Sequence, residues 1–557
     1  MNRAIRFFLL TASFLCLATT SCSDRSNLYF SRSNTKAAKG DFDGAIADYT
    51  EAIALKPDDA AAYYERGKAK SAKGDLDGAI ADCTKAIEFK PNVAEAYSGR
   101  AIAKKAKGDL DGAIADCTRA IELKPGLASA YYIRGNVRRA KGELDQAIAD
   151  YTRAIQINPD DPDANYNRGL AKKDARDLDG AIADLTRAIQ LKLVDAAAYY
   201  ERGKARGAKG DMDGAIADCN KAIELVPNEA DAYVVRGYAK QKKGDLDGAI
   251  ADSTKAIELK PDDAIAYHVR GIAKKGKGDS DGAIADYTKA IKLKPDLTVA
   301  YYDRGIAKKL KGDLDGAIAD YTKAIELKPD DASAYYRRGI PKRAKGDLDG
   351  AIADYTKAIE LKPDLAVAYY GRGIAKKVKG DLDGAIVDYS KAIELKPDDA
   401  AVYHSRGCFR YDSHDFAPAM ADFRKEVELD STDDYARFRV WLIRARTGEV
   451  EAATTELQTY LGGRTIAKRD DWESKVGHFL TGELPEPEFL SAAKNADHKK
   501  EPGQLCEAYF YAGSKRLFVG DKTLAADYFR KSIATDQKGY FEYASAVAEL
   551  GFLKTRP

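Results

Sequence analysis

Five histidines and seven scattered cysteines are all that 557 residues supply of the side chains most used for metal binding and nucleophilic chemistry. No Gly-x-Ser-x-Gly, His-Glu-x-x-His or Walker loop occurs. Ser33-x-x-Lys36 and Ser491-x-x-Lys494 match one catalytic spacing, but Lys-rich helices produce it by chance and the companion motifs are missing. His268 and His404 lie four repeats apart, too far to share an ion. No catalytic residue, cofactor or metal is therefore expected. Charge of one sign is also lacking, with 90 Lys+Arg against 88 Asp+Glu. A general nucleic-acid binder needs a net basic field, so that class is excluded. Apolar residues make up 45% of the chain, enough for a real core.

Long hydrophobic runs are absent too. The longest, Phe7 to Ala18, is interrupted by Thr11 and Ser13. It is shorter than the roughly 20 residues a membrane-spanning helix needs. With Arg3 and Arg6 before it and Thr19-Thr20-Ser21-Cys22 after it, residues 1–21 read as an export signal. Small residues before Cys22 resemble the lipobox of bacterial lipoproteins, although Thr19 stands where Leu is usual. That resemblance implies a diacylated Cys22, a short tether over 22–25, and a periplasmic or outer-membrane address with membrane attachment through lipid. Ordinary cleavage near Ala18–Ser21, leaving a soluble exported protein, is the alternative.

What the sequence has in abundance is one phrase. Gly-Asp-Leu-Asp-Gly-Ala-Ile-Ala-Asp recurs at 34-residue spacing, and twelve units tile residues 26–433. Each unit predicts two helices. A Gly-Asp turn separates them, its Asp placed as N-cap of the second, and Pro ends the second helix. Repeat position 8 is Gly in ten units, and position 20 is Ala in all twelve. Gly within a helix costs about 1 kcal/mol relative to Ala, so its recurrence predicts close helix approach. Tyr63, Gly67, Ala79, Ala86 and Pro91 fill signature places of the tetratricopeptide repeat, which the tract resembles. The resemblance implies an all-α, right-handed superhelix of antiparallel helix pairs with a concave face lined by first helices.

Position 7 is Arg and position 23 is Asp in every unit, for example Arg304 with Asp320 and Arg338 with Asp354. Across a helix hairpin these predict a structural ladder of ion pairs. Position 5 carries Tyr64, Tyr132, Tyr166, Tyr200, Tyr302, Tyr336 and Tyr370. Position 12 carries Lys105, Arg139, Lys275, Lys309, Arg343 and Lys377, with Lys173 besides. The two rows would hold an extended peptide or an acidic chain. Alternatively the tyrosines complete the core and the cations favour helix C-termini. Cys83, Cys117 and Cys219 share position 24, too far apart for disulfides, and read as buried thiols, with Cys408 and Cys506 also unpaired.

After residue 433 the composition shifts. Residues 434–467 read as a degenerate repeat and 468–505 as a linker, with a helix over Trp472–Leu480 and a loop over Gly482–Pro487. Residues 506–557 read as a last repeat with a capping helix near Tyr540–Leu550. Trp472, Phe479-Leu480, Gly482, Cys506 to Gly513, Gly520-Asp521, Phe529, Glu542-Tyr543 and Glu549-Leu550 resemble the C-terminal part of NlpI-like bacterial outer-membrane lipoproteins. That resemblance implies a non-enzymatic, homodimeric scaffold that presents cell-wall hydrolases to a periplasmic protease. Those relatives lack the dozen regular repeats. A glycan or cell-wall binder is a second reading. An accessory subunit of a transferase is a third, since residues 434–557 are too few for a catalytic domain of that kind.

Overall fold

The computed structural model describes residues 22–192, 195–464, 471–494 and 499–555. The leader at 1–21, the thiol of Cys22, and Leu193, which replaces a repeat proline, lie outside the described residues. The described residues form 31 helices and no strand, and no helix among them is long and apolar enough to cross a membrane.

The repeat's local chemistry explains its shape. In Leu314–Leu327 the Asp313 side chain accepts from the Gly316 N–H, capping a second helix. Asp315 in the first turn favours the same end of the dipole. Just before each such cap the backbone turns left-handed, at Gly312 with φ 82° and at the equivalent glycine of nine other repeats. Arg176 and His414 take the same conformation, at 66° and 60°, where a Cβ makes it costly. The position-8 glycine answers to packing. A Cβ on Gly339 would stand 2.6 Å from the Tyr355 ring, and one on Gly305 would stand 2.9 Å from that of Tyr321. The helices of a pair meet where that side chain would be.

The chain divides into two compact units, Met1–Pro295 and Asp296–Pro557. The first is built from helix pairs alone, each first helix packed on its own second helix and that one on the next repeat. Small alanines and position-24 side chains such as Tyr49, Cys117, Tyr151 and Leu185 fill its core. Cys83, Cys117 and Cys219 are buried and free, and burial pushes each thiol up to about 12. Cys408 and Cys506 are also buried and free.

Residues 22–25, expected as a tether, are helical. They are the first turn of the helix Cys22–Ala38. Asp24 lies in that turn, and the buried Ser26 hydroxyl donates to the Ala52 carbonyl at 3.0 Å, which ties the turn down.

The second unit carries four repeats and then a different core. Pro341 does not end its helix, which runs Ala332–Ala344. Helices Asp434–Arg446 and Val450–Gly462 follow the repeat pattern, and Trp472–Thr481 comes next. The expected loop stops short, because Pro485 starts a helix, Glu486–Ala492. The last pair begins earlier than expected, at Glu501, and the final helix is Phe541–Thr555. At the centre of this unit is Arg439, fully enclosed. It donates to Ser545 Oγ at 2.9 Å and Glu542 Oε1 at 3.1 Å, and its guanidinium lies over the Tyr411 and Phe510 rings.

Candidate functional site

Each second helix brings its position-23 Asp, buried in all twelve repeats, beneath two cations of the first helix. Arg304 donates from Nε and Nη2 to Asp320 at 2.9 and 2.7 Å, and Lys308 Nζ stands 2.9 Å from Oδ2. Arg338, Lys342 and Asp354 repeat this arrangement. The second cation, at position 11, is not anticipated by the sequence patterns weighed above. It is nevertheless Lys or Arg in every unit, a signal as regular as the Arg and Asp themselves. The rung also reaches backward, since Arg338 Nη1 donates to Thr322 of the preceding repeat at 3.1 Å.

The position-5 tyrosines are all half-buried. Tyr132, Tyr302, Tyr336 and Tyr370 each lay their rings about 6 Å from the position-24 Tyr of the same repeat. Burial lifts Tyr64 and Tyr166 to about 12 and raises Tyr200 further. One ring face therefore completes the core, and the hydroxyls are left for contacts beyond their own repeat. Those hydroxyls meet position 6 of the next repeat. Tyr132 accepts from Asn167 at 3.0 Å, Tyr302 accepts from Arg337 at 2.8 Å, and Tyr370 lies 3.1 Å from the Ser405 hydroxyl. Position 6 varies from repeat to repeat, so it gives this face its local character.

The position-12 row is not uniformly available. Arg139 is held by Asp174 at 2.9 Å and Lys173 by Glu201. Lys275 and Arg343 are half-buried. Lys105 and Lys309 have no ion-pair partner among the described residues. In the first unit Lys105, Tyr132, Asn136, Arg139 and Asn167 line one hollow of about 440 Å³ spanning successive first helices.

At the twelfth repeat the same face is already occupied. Phe541 packs against His404, the position-5 residue, with ring centroids 4.6 Å apart, and Lys377 Nζ lies 4.8 Å above the Phe541 ring. Ser545 donates to Asp412, His414 Nε2 lies 3.3 Å from Glu549, and His414 stacks on Phe552 at 4.1 Å. Phe541, Ser545, Glu549 and Phe552 share one side of the last helix. The first-helix face thus accepts a helix, through rings and polar contacts.

Beside that contact opens a cleft of about 700 Å³, lined by Tyr370, His404, Glu426, Asp433, Tyr435, Glu507 and Phe541 among others. Its walls are acidic. His404 Nδ1 lies 2.8 Å from Glu426 Oε1. Burial first, then the neighbouring Asp433, lifts Glu426 to about 9. Burial and the Glu542 carboxylate lift Glu507 to about 8, although Trp472 Nε1 and Tyr435 OH both donate to it. No motif announces this cleft, because its residues come from separate helices between residues 370 and 542.

Helix pairs stacked one on the next, with a first-helix face that holds a helical segment, define a class of all-α protein-interaction scaffolds. Comparison with protein families agrees. A TPR repeat description matches residues 34–74, 135–174, 309–340, 342–377 and 378–409. Tetratricopeptide repeat descriptions match 166–230, and 60–93, 94–126, 230–263 and 264–297. The chain belongs to the tetratricopeptide repeat family.

No curated protein sequence matches the chain significantly. Among solved structures it is similar to the anaphase-promoting complex hetero-tetramer Cut9–Hcn1, at 15% identity and TM-score 0.39, over 78% of this chain and 98% of that one. It is similar to YrrB, described as a TPR protein with an unusual peptide-binding site, at 28% identity and TM-score 0.32, over 34% of this chain and 97% of that one. It is similar to MamA at 30% identity and TM-score 0.29, over 30% of this chain and 92% of that one.

Proposed function

We propose that this chain is a non-catalytic scaffold that binds partner proteins along its first-helix face and works at the bacterial cell envelope. The observation that carries the binding half is the seating of the chain's own last helix on the twelfth repeat. Position 5 of that repeat, His404, and position 12 of the repeat before it, Lys377, grip Phe541. The tyrosines and unpaired lysines of earlier repeats offer the same kind of surface, and Lys105 and Lys309 suit a segment bearing carboxylates. Photo-crosslinkers placed at Tyr132 and Tyr302 should capture a protein partner from envelope extracts. Placed at Lys255, exposed on a second helix, they should not. Equal capture from both faces, or binding of purified peptidoglycan fragments in place of protein, would defeat the reading.

The envelope half rests on the leader and on the tail's likeness to NlpI-like lipoproteins. In this reading Cys22 is diacylated, the mature chain is periplasmic or tethered to the outer membrane, it forms a homodimer, and the partner is a cell-wall hydrolase or a periplasmic protease. Two acyl chains make a firm tether, at about 0.8 kcal/mol per buried methylene. Incorporation of an alkyne-tagged fatty acid should be lost in Cys22→Ser. Labelling that persists in that variant would remove the anchor from the account.

A further inference from the structure

We infer that the cleft between the twelfth repeat and the C-terminal helices holds a divalent transition-metal ion of the zinc class, bound by His404, Glu426 and Asp433. Three independent elements supply the donors. His404 comes from the helix Ala400–Asp412, Glu426 from Phe416–Leu429, and Asp433 is the residue that caps Asp434–Arg446. One ligand atom from each lies within 4.8 Å of the others.

The second, independent observation is an orphaned atom. Glu426 is 2% exposed, and its Oε2 is buried with no hydrogen-bond partner. A buried carboxylate oxygen without a donor is costly. Its neighbour on the cleft wall is the Asp433 carboxyl, so the hydrogen available between the two is a proton they share, which a cation would displace. A cation between the two satisfies both. Asp433 has capacity for one: it spends Oδ1 on the Ala436 N–H at 2.8 Å, which leaves Oδ2.

The donor set selects the metal. One imidazole nitrogen with two carboxylates suits zinc and its transition-metal neighbours. Calcium and magnesium prefer oxygen alone. Bound at about 2.1 Å in tetrahedral geometry, donors stand roughly 3.4 Å apart. The present 2.8 Å between His404 Nδ1 and Glu426 Oε1 would therefore open only slightly on binding. The other ring nitrogen, Nε2, lies 3.4 Å from Cys408 Sγ, a contact that fixes the ring as outer partners of metal-bound histidines do. Arg439 is the nearby cation and opposes binding, while Asp430 adds a further acidic wall. The cleft leaves the remaining coordination position open to water. One ion would join the two helices of the twelfth repeat to the start of the helix that follows them.

The test uses the full chain, stripped with a chelator and titrated with zinc chloride, with calcium chloride in parallel. One zinc ion per chain should bind, with a raised melting temperature, and calcium should bind at least tenfold more weakly. Glu426→Gln keeps the side chain's shape, and Asp433→Asn keeps a capping residue, so both should fold with unchanged circular dichroism. Each should weaken zinc binding at least tenfold. Cobalt in place of zinc should show ligand-field bands without thiolate charge transfer. Absence of bound zinc, binding unchanged in both variants, calcium binding as tight as zinc, or a thiolate band would each overturn the site. None of these results bears on partner capture by the tyrosine row, so the two proposals fail separately.

Discussion

Asp320→Ala is expected to destabilise the second unit by about 2–4 kcal/mol, while the double change Arg304→Met/Asp320→Leu should lose clearly less. The Asp320 side chain is 5% exposed and faces Arg304 and Lys308, at 15% and 20%. Taking away the carboxylate leaves two mostly buried cations without the counter-charge they share, and the desolvation they suffered on folding is no longer offset by it. The double change removes the guanidinium as well and fills both spaces with hydrocarbon. Only Lys308 then remains, with a flexible stem that can lift its ammonium toward water. Urea unfolding of the full chain, followed by hydrogen exchange across residues 296–400 to localise the loss, decides the matter. Equal losses in the single and double variants would show that the rung acts as isolated surface charge. Arg338 also reaches back to Thr322, as Arg372 does to Thr356, so such rungs join adjacent repeats, which suits neighbours so alike that register could slip.

This ladder is legible in the sequence because its chemistry is periodic. Thirty-four-residue spacing places Arg and Asp on facing helices twelve times over, and a pattern repeated twelve times cannot be accidental. The position-11 cation is equally repetitive, yet its Lys/Arg alternation resembles ordinary helix C-terminal charge. The tyrosine row is harder to read. Sequence cannot say which edge of a half-buried ring faces out, because that depends on the side chain beneath it. Tyr49 and Tyr151 donate to Asn34 and Asn136, whereas the buried Tyr321 hydroxyl, in a repeat with Ile306 at that place, has no hydrogen-bond partner. The C-terminal unit is the least legible. Arg439 finds Glu542 across 103 residues and His414 finds Glu549 across 135, and no periodicity predicts contacts of that span. The cleft is hidden for the same reason, its donors being assembled by packing and not by spacing.

Glu507→Gln is expected to leave stability near pH 4.5 almost unchanged and to raise it on the order of 3 kcal/mol by pH 7–8. In the folded chain burial comes first, and the Glu542 carboxylate second, in lifting Glu507 to about 8. A carboxyl group free in the unfolded chain ionises near 4.3. Between those values the unfolded state sheds its proton and the folded state keeps it. The proton's contribution to stability is therefore fully present below the unfolded pKa and is lost as pH rises toward 8. Asp412, raised to about 6 by burial, adds a smaller loss of the same sign at the lower end of that window. Glutamine carries no charge to lose. Its single carbonyl oxygen can still accept from both Trp472 and Tyr435, which reach the same oxygen of Glu507 at 2.6 and 3.1 Å. Melting curves of the two chains at pH 5, 7 and 8.5 should separate progressively, with the variant higher. Parallel curves across that range would mean that Glu507 is ionised in the fold, and that its two donors outweigh burial and the neighbouring carboxylate together.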